Sequence, residues 1–306
     1  MAIFEQGETY VHRASIRDRT GTLVNPSSAS FKLIDPCGYT LVNYQSMTSD
    51  ATGQYYYNYT LSSTATFGRY ITQVKAITSG GNIAHQKGEF FVMPWDGIPE
   101  VRRTMGCKDA KTIEDDDLAS ILWSSYKYAL KDVYIHHYDE SPNANVETGA
   151  YFDGTNSTFQ TQYYPIADVN GDGYVYGNEI SCASDITVKW RNSYGHMQDG
   201  YVSVTRADNG EIHIFQSDGI TPIPSTNKGV YLEYWIKDKR YDNYLFQQAV
   251  VRLACYELSK RFTSLTEITL ADIQNNNPLI TIDPQMWMHE YHRYLDKCRS
   301  LPMGGL

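Results

Sequence analysis

A chain of 306 residues with 42% apolar and 20% charged content is long enough for one or two cores, and global disorder is excluded. No apolar run nears the ~18 residues that cross a bilayer, and the opening MAIFEQGETY lacks the basic and apolar regions of a secretion signal, so no membrane partner is expected. The balance of 26 basic against 35 acidic residues, net -9, opposes a phosphate backbone and argues against a sequence-specific nucleic-acid binder.

Residues 1–95 alternate as short strands between turn signals, the pattern of an immunoglobulin-like β-sandwich of roughly seven strands. Tyr55, Tyr57 and Tyr59 fall on one face of a strand over 54–60. Two prolines and a glycine in MPWDGIP resist both helix and central strand, which places a linker at 96–99. A helical period follows over about 114–134, with Leu118, Ile121, Leu122, Ala129, Leu130 and Val133 in one stripe and Thr112 and Asp115 spaced as a capping box.

Residues 150–240 return to strand character in Ile186–Trp190, Tyr201–Thr205, Ile212–Phe215 and Val230–Trp235, and so form a β insertion after the first helix region, 100–149. The C-terminal part, 241–306, opens with Asp242 as the cap of an amphipathic helix carrying Leu245, Phe246, Ala249, Val250, Leu253, Ala254 and Leu258. A last helix starts at the Asp283-Pro284 pair and presents Trp287, Tyr291, Tyr294, Leu295 and Cys298 on one side. The expected fold class is α+β: an N-terminal immunoglobulin-like sandwich followed by a small helical domain that carries a β insertion.

Five cysteines lie far apart with no CxxC spacing, and the expectation is free thiols in a cytoplasmic protein. Tyrosine stands at 26 residues against 10 phenylalanines, an excess that suits contact surfaces and equally suits ordinary strands.

The string DVNGDGYVYGNE from Asp168 to Glu179 matches the calcium-loop pattern D-x-[DN]-x-[DN]-G-x5-E at every specified position. Asp168, Asn170 and Asp172 would supply side-chain oxygens, Tyr174 its backbone carbonyl and Glu179 a bidentate carboxylate, a donor set for a hard cation with six to eight ligands. The flanks do not read as the helix pair of an EF-hand. The loop is closer to a dockerin repeat without its paired second loop, and a lone loop of this kind staples local structure. The same residues also build a plain polar turn that holds no metal.

His289, Glu290 and His292 have His-x-x-His spacing, which lacks the i, i+4 geometry and third ligand of a zinc-protease helix. His136 and His137 are adjacent, so their side chains diverge. There is no GxSxG, Walker loop or GxGxxG, and no catalytic residues are expected.

Three stretches carry a resemblance: VRRTMGCKDAKTIEDDDLASILWSSYKYA, then FDGTNSTFQTQYYPI at Phe152–Ile166, then GEIHIF at Gly210–Phe215, closed by the tyrosine-bearing helical end. Over residues 99–306 the chain resembles the head-to-tail connector (adaptor) proteins of tailed viruses. The resemblance implies a structural virion protein assembled in the host cytoplasm, in a ring of roughly twelve copies that joins portal to tail or tail-completion proteins and leaves a channel for DNA. It also implies contact with capsid or fibre proteins through the N-terminal domain. The alternative class is a calcium-stabilised surface or extracellular binding module, for carbohydrate in particular.

Overall fold

The computed structural model describes residues 3–78, 80–105, 114–142, 152–178, 184–224, 229–237, 243–263 and 284–299. Among the sequence expectations, Cys107, Thr112, Glu179, Cys182, Asp242, Asp283 and the tail 301–306 lie outside the described residues. The chain is mixed α+β and divides into two compact units, with the boundary between Trp123 and Ser124.

The first unit begins with two sheets. One has the order β1 (Ile3–Phe4), β8 (Ile83–Val92), β7 (Gly68–Ile77), β3 (Ser28–Ile34), β4 (Thr40–Ser46); the other has β2 (Thr9–Ser15), β6 (Gln54–Thr60), β5 (Thr48–Ala51). Strand periodicity sends Phe31, Leu33, Tyr70, Val74, Phe90 and Val92 into the core between the sheets. Rings stack there: Phe31 on Tyr57 at 4.7 Å, Tyr10 on Phe90 at 4.1 Å and Tyr70 on Phe90 at 5.1 Å. Tyr55, Tyr57 and Tyr59 do share a face, partly buried against this core. The Tyr70 hydroxyl donates to the Thr66 carbonyl at 2.9 Å, so a tyrosine is buried with its polar end satisfied. At Gly53, where φ is 68°, an added Cβ would stand 2.8 Å from the Ile16 carbonyl oxygen and 2.9 Å from the Val24 nitrogen.

The first unit continues past the expected linker. Helix α1 (Ile98–Met105) starts inside the MPWDGIP segment: Asp96 Oδ1 accepts from the Ile98 N–H at 3.0 Å, and Pro99 falls in the first turn, where a missing N–H costs nothing. Helix α2 (Asp115–Val133) matches the predicted span and passes from the first unit into the second after Trp123; three aspartates open it at the positive end of its dipole. Arg102 donates to Asp115 at 2.5 Å and ties α1 to the start of α2.

In the second unit β9 (Ile135–Glu140) follows α2 at once, so the β region starts earlier than residue 150. One sheet runs β12 (Met197–Asp199), β11 (Ile186–Arg191), β15 (Val230–Ile236), β9, and a second runs β10 (Thr158–Gln160), β14 (Glu211–Phe215), β13 (Tyr201–Arg206). Their shared core holds Phe159, Ile186, Val188, Val202, Ile212, Ile214, Leu232 and Tyr234. Helix α3 (Asn243–Thr263) and helix α4 (Pro284–Arg299) pack on each other. The predicted one-sided stripe of α3 proves too narrow. Phe246, Gln248, Ala249, Val250, Val251, Leu253, Ala254, Cys255, Leu258 and Ser259 are all buried, which makes α3 a central helix enclosed on most sides. Tyr126 of α2 meets Phe246 edge-on at 5.9 Å, and the Tyr291 hydroxyl of α4 donates to Asp132 of α2 at 2.6 Å.

The cysteines depart from expectation. Cys37 is disulfide-bonded, its partner outside the described residues, while Cys255 and Cys298 are buried thiols, outside any disulfide, in α3 and α4. Wide spacing in sequence is no bar to a bridge, because a loop brings distant residues within the 4.4–6.8 Å Cα separation that a disulfide needs.

Phe31 is fully buried in the first sandwich. Phe31→Ala should lower stability by about 3–5 kcal/mol, seen as a reduced midpoint in chemical denaturation, because the cavity between two stacked sheets cannot collapse.

Candidate functional site

The 168–179 loop is the one predicted site, and Asp168, Asn170, Asp172 and Tyr174 are described. The segment leading into it is held to β15, where the Ala167 N–H donates to the Trp235 carbonyl at 2.8 Å. Asp168 then closes the loop on itself: Oδ1 accepts from the Gly171 and Asp172 N–H groups at 2.7 and 3.1 Å, and Oδ2 from the Gly173 N–H at 2.7 Å. The Asp172 N–H also donates to Asn170 Oδ1 at 2.9 Å, and the Tyr174 N–H donates to Asp172 Oδ1 at 3.0 Å. Successive N–H groups thus point inward at side-chain oxygens, the geometry that short Asx turns impose on a D-x-N-x-D-G string.

Asp185, which no pattern singled out, is the second hub. It sits just before β11, and its Oδ1 accepts from the N–H groups of Val169 and Asn170 at 2.8 and 3.3 Å while Oδ2 accepts from Tyr176 at 3.1 Å. Its own N–H donates to the Tyr176 carbonyl at 2.8 Å. Further along, Asn178 donates to the Gly200 carbonyl at 2.8 Å and accepts from the Val202 N–H at 2.7 Å, which fastens the loop to β13. On its other side the loop meets α2. Gly171, at φ 79°, leaves room for no side chain: a Cβ would stand 2.8 Å from Leu130 Cδ1 and 2.9 Å from Tyr126 Cε1. One short loop therefore joins α2, β11, β13 and β15.

Electrostatically the loop is under-compensated. Asp172 and Asp185 are buried, and Asp172 Oδ2 has no hydrogen-bond partner. Burial, reinforced by the charge of Asp168, pushes the Asp172 carboxyl up to about 7 and that of Asp185 to about 8. Burial also raises Asp168, against the pull of three backbone N–H groups and of Lys237. The hydroxyls of Tyr126 and Tyr134 are raised as well, first by burial and then by the charge of Asp168.

As a donor set the loop fits a hard cation in part. Asp172 offers a buried, unused carboxylate oxygen, and Asp168 uses three of the roughly four lone-pair sites of a carboxylate on N–H groups. Yet among the described residues no three His, Cys, Asp or Glu side chains converge at ligating distance. Glu179, the bidentate ligand of the pattern, lies outside them.

The histidines do other work. His136 stacks on Trp235 at 4.3 Å and pairs with Glu233 at 3.0 Å, while His137 faces the opposite side of β9 and stacks on Tyr163 and Tyr234. His289 and His292 are exposed on α4, where Glu290 between them pairs with Arg293 at 2.6 Å.

No protein-family model matches the chain, and no curated protein is similar to it. Three solved structures overlay weakly. CopC from Methylosinus trichosporium OB3b is 25% identical over 24% of this chain and 68% of its own, with a TM-score of 0.19. A tetra-tandem repeat in the extending region of a large adhesion protein is 11% identical over 66% of this chain and 35% of its own, with a TM-score of 0.24. Escherichia coli alpha-2-macroglobulin activated by porcine elastase is 12% identical over 78% and 19%, with a TM-score of 0.26. Overlays this slight carry no argument about this chain.

The raised carboxyls give a signed pH dependence in metal-free protein. Asp172 and Asp185 bind protons more tightly folded than unfolded, so their stabilisation is full below the ordinary value of 3.8 and is lost as pH rises through about 7 and about 8. With chelator present, the melting temperature of the wild type should fall more steeply from about pH 5 to about pH 9 than that of Asp185→Asn. Parallel profiles would exclude Asp185 from the titration.

Proposed function

We propose that the protein is a non-catalytic structural component of a virion, a head-to-tail connector that acts by assembling into a ring between portal and tail. The observation that carries this reading is the order of the second unit: α2, then a β block, then α3 and α4, with α4 pinned back to α2 by Tyr291 and Asp132. That order supports the small helical adaptor domain with an inserted β domain that the resemblance implies; the N-terminal β module and the calcium loop go beyond a minimal adaptor. Supporting it, Tyr128, Tyr138, Tyr194 and Tyr244 each leave more than half of their surface exposed, side chains suited to subunit contacts. In this reading the protein sits in the virion neck, with portal and tail proteins as neighbours and packaged DNA passing through an acidic ring that repels it.

Calcium completes the reading. Asp168, Asn170, Asp172, the Tyr174 carbonyl and Glu179 would hold the ion, with Asp185 behind them orienting the loop backbone. The ion supplies the positive charge that Asp172 Oδ2 lacks, and binding to the folded state alone stabilises it. The role is structural, since the loop ties elements of one unit together and has no helix pair to swing.

One observation favours the rival class, a calcium-stabilised extracellular binding module. The disulfide at Cys37 is a bond that oxidising compartments preserve. Native mass spectrometry with negative-stain imaging separates the two. The connector reading predicts closed rings of many copies in calcium, formed alone or on adding a portal protein. A monomer that ignores portal and is retained on a glycan array contradicts it.

A further inference from the structure

Charge is unevenly divided along the chain. Residues 1–95 hold seven Lys and Arg against six Asp and Glu, so the acidity of the whole, net -9, resides entirely in residues 96–306. Within the sandwich the basic residues concentrate further, on the outer face of the five-stranded sheet. Because Phe31, Leu33, Tyr70, Val74 and Phe90 alternate inward, Lys32 of β3, Arg69, Gln73 and Lys75 of β7, and His85 and Lys87 of β8 point outward. The register places Lys32 and Lys87 directly opposite Gln73, one on each side, and His85 opposite Lys75. Cross-strand neighbours lie about 4.5–5.5 Å apart, so Lys32 and Lys87 flank Gln73, and Lys75 stands two residues further along β7 on the same face.

None of these lysines has a carboxylate partner among the described residues; the nearby Glu89 is engaged by Arg69 at 3.5 Å. Instead Lys32 and Lys75 each place their ammonium 5.8 Å from the ring centre of Tyr44, whose hydroxyl donates to Gln73 at 3.2 Å. Tyr44 is the one non-glycine residue with positive φ among the described residues, at 46°. Beside this cluster, Ile34 and Ile71 floor a shallow hollow of about 350 Å³ rimmed by Arg69, Lys87 and Glu89. Like charges held together on a sheet repel one another, and an apolar floor inside a polar rim is the anatomy of a protein contact surface.

We infer that this face, centred on Gln73 and bearing Lys32, Lys75 and Lys87, docks on the acidic portion of a second copy of the same chain. The inference rests on the ring reading above and supplies one of its contacts. A basic patch and an acidic remainder on one chain are complementary between copies, and contacts between unlike patches are the kind that close into rings. The net acidity of the chain disfavours nucleic acid as the occupant.

The experiment uses the full chain in calcium, with sedimentation velocity and native mass spectrometry at low and high salt, and portal added in parallel. The wild type should dissociate as salt rises. The Lys32→Glu/Lys75→Glu/Lys87→Glu variant should need about tenfold more protein for half-assembly at low salt, and the corresponding triple Gln variant should fall between. An unchanged melting temperature shows that the variants fold, and the Gln variant decides if the Glu variant does not. A triple Glu variant that assembles like the wild type overturns this inference and leaves the ring standing. The inference is equally overturned if that variant assembles normally but loses retention on heparin or on capsid protein. A wild type that stays monomeric throughout, portal included, overturns the ring itself.

Discussion

The second unit depends on how two buried carboxylates, Asp172 and Asp185, and the half-buried Asp168 are neutralised. Asp168 and Asp185 each gather backbone N–H groups, and Asp172 keeps one oxygen with none. An ionised carboxylate withdrawn from water is costly unless paired, so the loop either takes up protons or takes up a cation. Its position makes that choice matter. Gly171 is pressed on α2, Ala167 is bonded to β15, Asp185 introduces β11 and Asn178 reaches β13. A loop with so many ties transmits its own order to the whole unit, which is the role a structural ion fills.

The two β modules solve burial in the same way, with stacked aromatics between small sheets, and tyrosine is used on both sides of the protein surface. Tyr70 and Tyr234 are buried while Tyr138 and Tyr194 are mostly exposed. The tyrosine excess therefore marks no single surface; part of it fills cores and part of it is available for contacts.

Much of this was legible because it is local. The 3.6 period of Leu118, Ile121, Leu122, Ala129 and Leu130 marks α2 to within a residue or two, and the fixed spacing of Asp168, Asn170 and Asp172 marks the loop. What stayed hidden is set by tertiary structure. Asp185 lies beyond the twelve-residue pattern and joins the loop only through folding. The bridge at Cys37 spans a separation that no local spacing encodes. Helix α1 was missed because Pro99 reads as a breaker unless it is seen to occupy a first turn, and α3 reads as one-sided because small or polar residues such as Ser259 and Gln248 are buried with its apolar ones. The lysine face was equally invisible: Lys32, Lys75 and Lys87 are scattered in sequence, and the sheet register alone gathers them around Gln73.

The proposed reading reduces to one physical claim, that the second unit folds around carboxylates which exchange protons for a divalent cation. Isothermal titration of calcium into chelator-stripped protein, in buffers of differing ionisation enthalpy, tests this directly. The account predicts one calcium per chain, with about one to two protons released near pH 7 and fewer as pH rises above 8. Binding without proton release, or no binding at all, would contradict it.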